Sequence, residues 1–223
     1  MHAPKPTARR RKQQRTVDTR RKIIRAALTD FALVGFEGSS TRRIAELAGV
    51  PHSLVLYHFK NKESLWYSTV QEAVEWYTLT GFGRIGPAKA GDPVRRLKRI
   101  MARYIRFSAK FPDFFRMLTH ENMVGSARLR WLVSNHVGPT VAHVSELIRR
   151  SQAIGAVVEG DPIYLVYLFL GTATSPYRSA REIELLTGAR PDSDSAVQRH
   201  IEVCERLFFR TPAAGKQRRK RAG

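Results

Sequence analysis

Apolar residues recur at three- and four-residue spacing along almost the whole chain, which is the pattern of amphipathic helices. The first such stretch covers about residues 19–34 and ends at Gly35, a residue type that favours the end of a helix. Short helices are predicted over 41–48 and 51–59, and Asn61 is a suitable N-cap for a longer one. No segment shows the two-residue alternation of a half-buried strand. The pattern predicts an all-α fold.

The second half of the chain predicts longer helices. Asp92-Pro93 and Asp161-Pro162 each place an N-cap acid before a proline in the first helical turn. Pro112 starts another helix, and a long helix from Leu129 to Ile148 is expected to kink at Gly138-Pro139. The helix after Pro162 is apolar all round its surface, which predicts burial on every side.

Proline, glycine and charge divide the chain into two domains and two tails. Residues 1–18 hold a basic run and no apolar face, so a disordered basic arm is predicted there. Residues 211–223 form a second basic tail. The glycine- and proline-rich stretch 81–91 is the predicted domain boundary. One helical domain is therefore predicted over 19–80 and another over 92–210.

The charge of the chain is strongly unbalanced. There are 39 Lys and Arg against 19 Asp and Glu, a formal net charge of +20, which favours nucleic acid or an anionic membrane surface as a partner. The lone Cys204 excludes an intramolecular disulfide. The longest apolar run, Ile163–Leu170, is far shorter than the roughly 20 residues that cross a bilayer. No signal-peptide pattern is present, so we expect a cytoplasmic protein.

The segment from Thr41 to Phe59 meets the requirements of a helix-turn-helix at fixed positions. Ala45 is small enough for two helices to cross closely, and Gly49 can take the left-handed backbone that the turn requires. Apolar residues fall where the two helices must pack together, namely Ile44, Ala48, Val50 and Val55. The segment predicts an N-terminal three-helix DNA-binding domain whose recognition helix enters the major groove.

From Arg20 to Tyr67 the sequence resembles the DNA-binding domain of TetR-type repressors. The residues that carry the resemblance are Phe31 with Gly35 and Phe36, the run Thr41–Val50, and the run Tyr57–Leu65. The sequence departs from the family pattern at Ser53–Leu56, where Gly-Thr-Leu-Tyr is usual. The resemblance implies a sequence-specific transcriptional regulator, a repressor that a ligand releases from DNA, with activation left open.

The resemblance also implies roles for particular residues of the motif. Tyr57, His58 and Lys62 are expected to contact phosphates, and simple solvent exposure is the alternative for each. Thr41 is expected to cap the first helix of the motif, whose N-terminal amides also favour a phosphate. Base edges are expected within reach of four further residues, which are Arg43, His52, Ser53 and Leu54.

The C-terminal helical domain is expected to bind an unidentified small-molecule effector and to form a homodimer. This domain contains many aromatic side chains and a few polar groups, a combination that suits a largely apolar ligand. Ordinary core packing is the alternative role for these side chains. The predicted lining comprises Tyr104, Phe107, Phe114, Met117, Leu118, Trp131, His136 and Tyr177. The resemblance implies that the helix after Pro162 and the last helix pair with their copies in a four-helix bundle. Two-fold symmetry then requires double-stranded DNA with a near-palindromic operator.

A metal-dependent enzyme is one alternative class of function, and a basic protein without sequence specificity is another. His136 and His143 are seven residues apart, whereas metal ligands on one helix usually lie four apart, and no cysteine accompanies them. We therefore predict no metal, no cofactor and no enzymatic activity. The alternative function is a basic protein that binds DNA without sequence specificity, or a membrane surface, through its net charge. Excess random DNA would abolish the binding of such a protein.

Overall fold

The computed structural model describes residues 8–77 and 91–210 of the 223-residue chain. In chain order the α-helices are α1 (Ala8–Gly38), α2 (Thr41–Ala48), α3 (His52–Phe59), α4 (Lys62–Tyr77), α5 (Pro93–Lys110), α6 (Pro112–Val124), α7 (Ala127–Leu132), α8 (Gly138–Ala153), α9 (Pro162–Arg178), α10 (Ala180–Thr187) and α11 (Asp194–Phe208). In these two ranges, extended backbone pairs only in a single antiparallel bridge between Val157 and Phe209. The predicted all-α fold is confirmed.

The helices group into two compact units. Within the described residues, the first comprises residues 8–77 and 113–130, and the second comprises residues 91–112 and 131–210. This division differs from the predicted domains 19–80 and 92–210, because α6 packs with α1: a Cβ on Gly35 would lie 3.2 Å from Nδ1 of His120. The predicted boundary at 81–91 lies, apart from Gly91, outside the described residues.

The apolar face of α1 forms the centre of the first unit. Its buried residues include Ile23, Ile24, Ala27, Leu28 and Phe31, as the spacing predicts. The helix begins at Ala8, so the predicted disorder over residues 1–18 is wrong from residue 8 onward. Lys, Arg and Gln are good helix formers, and they extend α1 without an apolar period that a sequence pattern could show. Residues 1–7 and the predicted tail 211–223 lie outside the described residues.

The long helix predicted through Gly138-Pro139 contains a π-helical turn, Val133–Val137, between α7 and α8. The Gly138 N–H donates to the Val133 carbonyl, five residues back. Pro139 has no N–H, and its ring would clash with the carbonyl one α-helical turn earlier, so the wider turn relieves both problems. A Cβ on Gly138 would lie 2.9 Å from the Val133 carbonyl oxygen, which explains the glycine.

One side of α9 packs in the core of the second unit. Leu165, Val166 and Phe169 are buried there, while other large apolar residues of α9 are exposed: Tyr164, Tyr167 and Leu168, which we call the outer face of α9. Within a single copy of the chain, the prediction that α9 is buried on every side is therefore wrong. The helices α5, α8 and α11 pack against only one side of it. Among the described residues, no helix is long and apolar enough to span a membrane.

Candidate nucleic-acid interface

The turn between α2 and α3 has the geometry that the sequence predicts. Gly49 has φ 58° and ψ 46°, in the left-handed region. Its N–H donates to the Glu46 carbonyl at 3.0 Å, and the Val50 N–H donates to the Ala45 carbonyl at 3.0 Å. The residues expected to join the two helices are buried, with Val50 half-buried: Ile44, Ala45, Ala48 and Val55. The two helices are therefore held at a fixed crossing by close packing.

Ser40 caps α2, and the predicted capping role of Thr41 is wrong. Ser40 has extended backbone, and its Oγ accepts a hydrogen bond from the Arg43 N–H at 3.2 Å. Thr41 is already the first helical residue, so its side chain is free to point elsewhere. Thr41 Oγ1 lies 2.9 Å from Nε2 of His52, a hydrogen bond that ties the first turn of α2 to the first turn of α3.

The exposed side of α3 carries most of the predicted DNA contacts. Val55 and Phe59 anchor the helix in the core, which turns Tyr57 outward with 77% of its surface exposed. Ser53 is exposed as well, and three other predicted residues are half-buried, namely His52, Leu54 and His58. Leu56, which was not among the predicted contacts, is also exposed. Leucine replaces the tyrosine that is usual at this position and offers no hydroxyl to a phosphate, so no contact was predicted there, although its place beside Tyr57 indicates exposure.

Lys62 lies at the start of α4, after Asn61, whose Oδ1 accepts from the Ser64 N–H at 2.8 Å as the predicted N-cap. The Lys62 ammonium donates to the Phe36 carbonyl at 2.7 Å and to the Ser39 carbonyl at 3.0 Å. It also lies 4.3 Å from the centroid of the Phe36 ring. Two of the three ammonium donors thus hold the end of α1, and a third can serve an anion.

A buried carboxylate under α2 holds Arg43. Asp30 is fully buried, and its Oδ1 accepts from Arg43 Nε at 2.6 Å while its Oδ2 accepts from Ser39 Oγ at 2.5 Å. The two terminal amino groups of Arg43 are not used in this pair, and its side chain is 45% exposed. Asp30 was not predicted from the sequence. The signal was an acid on the apolar face of α1, between Ala27 and Phe31.

Further cations surround the motif. The Lys22 ammonium lies 3.6 Å from the position that a Cβ on Gly49 would occupy, and Arg42 is exposed on α2. Burial, together with the nearby Arg20 guanidinium, lowers the pKa of His58 below its ordinary value. His58 is therefore neutral near pH 7. Neither Lys22 nor Arg42 was predicted as a contact, because both have basic neighbours on α1 and α2 and resemble ordinary solvated charges in the sequence.

The predicted effector-binding residues divide between the two units. Phe114, Met117 and Leu118 belong to the first unit, and the others belong to the second: Tyr104, Phe107, Trp131, His136 and Tyr177. In the second unit Tyr104 packs against the core cluster that contains Tyr177, and burial raises the pKa of both phenols. The Trp131 and His136 rings lie 5.0 Å apart, and burial lowers the pKa of His136. The common lining stays a prediction.

Two family models match the chain in these regions. Residues 23–66 match bacterial regulatory proteins of the tetR family, and residues 93–206 match the tetracyclin repressor-like C-terminal domain. Together the two matches cover more than half of the chain. The chain belongs to the TetR family. This TetR-family protein is a DNA-binding transcriptional regulator, as predicted, and the family does not support the alternative of a non-specific DNA-binding or membrane-surface protein.

Named relatives of this TetR-family regulator have the same class of function. HTH-type transcriptional regulator RutR of Escherichia coli (strain K12) is 25% identical over 203 residues, which cover 89% of this chain and 92% of RutR. HTH-type transcriptional repressor NicS of Pseudomonas putida is 25% identical over 171 residues, 73% of this chain and 77% of NicS. A solved structure of AibR with isovaleryl coenzyme A and operator DNA has a TM-score of 0.68 at 19% identity. The match covers 86% of this chain and 98% of the AibR chain. This last likeness shows the fold alone.

Proposed function

We propose that this TetR-family regulator is a homodimeric repressor that inserts α3 into the major groove of a near-palindromic operator. The observation that carries the proposal is the exposed phenol of Tyr57, held out by a helix whose other face is anchored in the core. A rigidly presented aromatic side chain with a polar tip is suited to a partner surface rather than to water. A regulator of this kind acts on the genome, so we place it in the cytoplasm and assign it no enzymatic activity.

The proposed phosphate contacts come from side chains at the end of α3 and the start of α4. Tyr57 offers a hydroxyl, the neutral His58 offers one ring N–H, and Lys62 offers its third ammonium hydrogen. The carbonyl of Phe36 near the end of α1 and the carbonyl of Ser39 just after α1 hold the Lys62 ammonium in place before DNA arrives. Because such preorganisation reduces the entropy lost on binding, Lys62 is expected to be the strongest of these phosphate contacts.

Base recognition is assigned to the first turns of α2 and α3. His52 can donate to or accept from a purine edge, and its hydrogen bond with Thr41 fixes the direction of its ring. Leu54 presents a branched apolar end that suits a thymine methyl group. The bond of Arg43 to Asp30 uses Nε and leaves its two terminal amino groups outside that pair, and Ser53 is exposed one residue after His52.

Dimerisation is assigned to the outer face of α9 together with α11. On α11 Ile201 and Cys204 are buried while Val203 and Leu207 are exposed, so this helix also carries a second apolar side. Two such helices from each subunit make a four-helix bundle with a two-fold axis. The operator would then contain half-sites about one helical turn apart or a little more.

The effector is expected to be largely apolar with an anionic or phenolic group. The Trp131–His136 pair supports this expectation, because it places an aromatic surface beside a neutral histidine that can donate a hydrogen bond. If effector binding weakens operator binding, linkage requires the operator to weaken effector binding by the same factor. A screen of aromatic acids, fatty acyl compounds and dyes that monitors Trp131 fluorescence and DNA release would identify it.

The test of the DNA-binding proposal is a selection from a pool of random-sequence duplexes with the full-length protein. We expect the enriched sequences to share one motif whose halves are related by two-fold symmetry. The same selection with Tyr57→Phe should enrich the same motif at lower yield, since a phosphate contact carries no sequence information. A pool that stays unenriched after repeated rounds would contradict the proposal.

A further inference from the structure

Two cations contact the ring of Phe36, near the end of α1. The Lys62 ammonium lies 4.3 Å from the ring centroid, and the Arg128 guanidinium carbon lies 3.5 Å from it. Both distances are within the range of a cation–π interaction. Lys62 is the proposed phosphate contact at the start of α4, whereas Arg128 lies on α7, far from it in sequence. The ring of Phe36 therefore joins the DNA-facing lysine to a residue outside the helix-turn-helix.

Arg128 is held in place by acids on two sides. Its Nε donates to Oε1 of Glu121 at 3.0 Å, and its terminal amino group lies 3.6 Å from Oε1 of Glu37. The Glu121 side chain is only 3% exposed and also accepts from Ser126 Oγ. The Arg128 side chain is itself 12% exposed. A guanidinium so enclosed has one defined position, because the fork of donors and the flat stacking surface are both used.

The backbone conformation at the end of α1 allows Phe36 and Glu37 to contact Arg128. Gly35 has φ 70°, a conformation that disfavours any residue with a side chain. A Cβ on Gly35 would also lie 3.2 Å from Nδ1 of His120 on α6, so α6 approaches closely there. The left-handed residue turns Phe36 and Glu37 out of the regular helix. We call residues 35–37 the α1 turn.

We infer that Arg128 is a positioning residue for DNA binding. It stacks on Phe36 and pairs with Glu37, which fixes the α1 turn, and the Phe36 ring and carbonyl in turn fix the Lys62 ammonium. This inference rests on the proposed phosphate contact of Lys62. Arg128 itself does not touch DNA; it holds the ring and the carbonyl that hold Lys62.

A double-mutant cycle tests whether Arg128 acts through Lys62. The probe is the operator duplex that the wild-type protein enriches from random sequence, and the variants are Arg128→Gln, Lys62→Ala and both together. We expect Arg128→Gln to weaken operator binding about tenfold when Lys62 is present. When Lys62 is already alanine, the same change should weaken binding less than about twofold, because coupled residues are not additive.

Control variants separate positioning from folding. Arg128→Gln leaves the buried Glu121 carboxylate without its charged partner, which destabilises the unit. The pair Glu121→Gln with Arg128→Gln removes both charges, so it should keep more of the thermal stability while still losing operator affinity. Arg130→Gln is the matched control, because Arg130 is an exposed arginine on the same helix. It should leave both the unfolding midpoint and operator affinity unchanged.

The outcomes distinguish this inference from the proposed function. An equal loss of affinity in both Lys62 backgrounds would mean that Arg128 affects binding independently of Lys62, and it would overturn the inference. Wild-type affinity in a folded Glu121→Gln, Arg128→Gln protein would overturn it as well. Unchanged operator affinity in Lys62→Ala would instead refute the phosphate contact of Lys62, and the positioning role would fall with it.

Discussion

At the scale of single residues, several side chains of the proposed DNA-binding surface also hold the first unit together. Lys62 donates hydrogen bonds to the Phe36 and Ser39 carbonyls. Arg43 forms an ion pair with the buried Asp30. Thr41 bonds a histidine on the next helix. Substitutions at these positions therefore change the free energy of unfolding and the free energy of DNA binding together. Measuring both quantities for each variant separates the two contributions.

Lys62→Ala should show both effects. The Phe36 and Ser39 carbonyls lose a charged donor, so the free energy of unfolding should fall by about 1–3 kcal/mol. The loss of one phosphate contact should flatten the slope of log affinity against log salt by about 1. Lys98→Ala is a suitable control, because Lys98 pairs with Glu205 in the second unit and should leave the slope unchanged. An unchanged slope in Lys62→Ala would remove Lys62 from the DNA contacts.

His58 predicts a dependence of operator affinity on pH. Its pKa in the free protein is lowered by burial and by Arg20, so a proton on His58 is disfavoured in the folded state. The free energy of unfolding that His58 contributes should therefore decrease as pH falls below about 6.5. A nearby phosphate offsets the Arg20 charge and raises the pKa, so DNA binding should take up protons. Operator affinity should then increase as pH falls from about 7.5 towards about 6.

His58→Gln is the variant that checks the source of this pH dependence. Glutamine keeps an N–H donor of similar reach but does not titrate. The part of the pH dependence that comes from His58 should disappear, while binding at neutral pH is largely kept. Titrations of operator binding at several pH values measure this directly. An identical pH slope in wild type and His58→Gln would assign the proton uptake to another group.

At the scale of elements, the sequence predicted what depends on fixed spacing. The helix-turn-helix requires a small residue, a left-handed turn and apolar packing at set intervals, so Ala45 and Gly49 identified it. The cap of α2 was predicted at Thr41 instead of Ser40, because two adjacent hydroxyl side chains are almost equally suitable as caps in the sequence. The start of α1 at Ala8 was missed since a polar helix has no apolar period. The π-helical turn before Gly138 was missed because it displaces apolar positions by only one residue.

The link between α2 and α3 predicts that Thr41 controls base preference from a distance. Thr41→Val keeps the shape of the side chain but removes its hydrogen bond to His52, which should lower the free energy of unfolding by about 1 kcal/mol. The His52 ring loses its fixed direction, so preference at the base pair it reads should relax. Ser40→Ala is the comparison, because it should cost about 1 kcal/mol through the lost cap while keeping base preference. Equal base preference in wild type and Thr41→Val would show that the bond from Thr41 does not control base preference.

At the scale of the whole molecule, dimerisation is predicted to depend on the outer face of α9. Leu168→Glu places a charge in the centre of this face and should convert the dimer to a monomer in sedimentation at micromolar protein, because an unpaired buried charge costs several kcal/mol. Leu33→Glu is a matched control on α1, since Leu33 is similarly exposed and lies in the other unit. A dimer that persists in Leu168→Glu would place the interface elsewhere.

The net charge of +20 attracts any DNA, so affinity alone does not test sequence recognition. The decisive measurement is the ratio of dissociation constants for the enriched operator duplex and a scrambled duplex of the same length and base composition, both at about 0.15 M salt. Specific recognition by α3 predicts a ratio of at least about 10³ in favour of the operator. A ratio near one, with both affinities falling alike as salt is added, would contradict the account and leave only non-specific attraction.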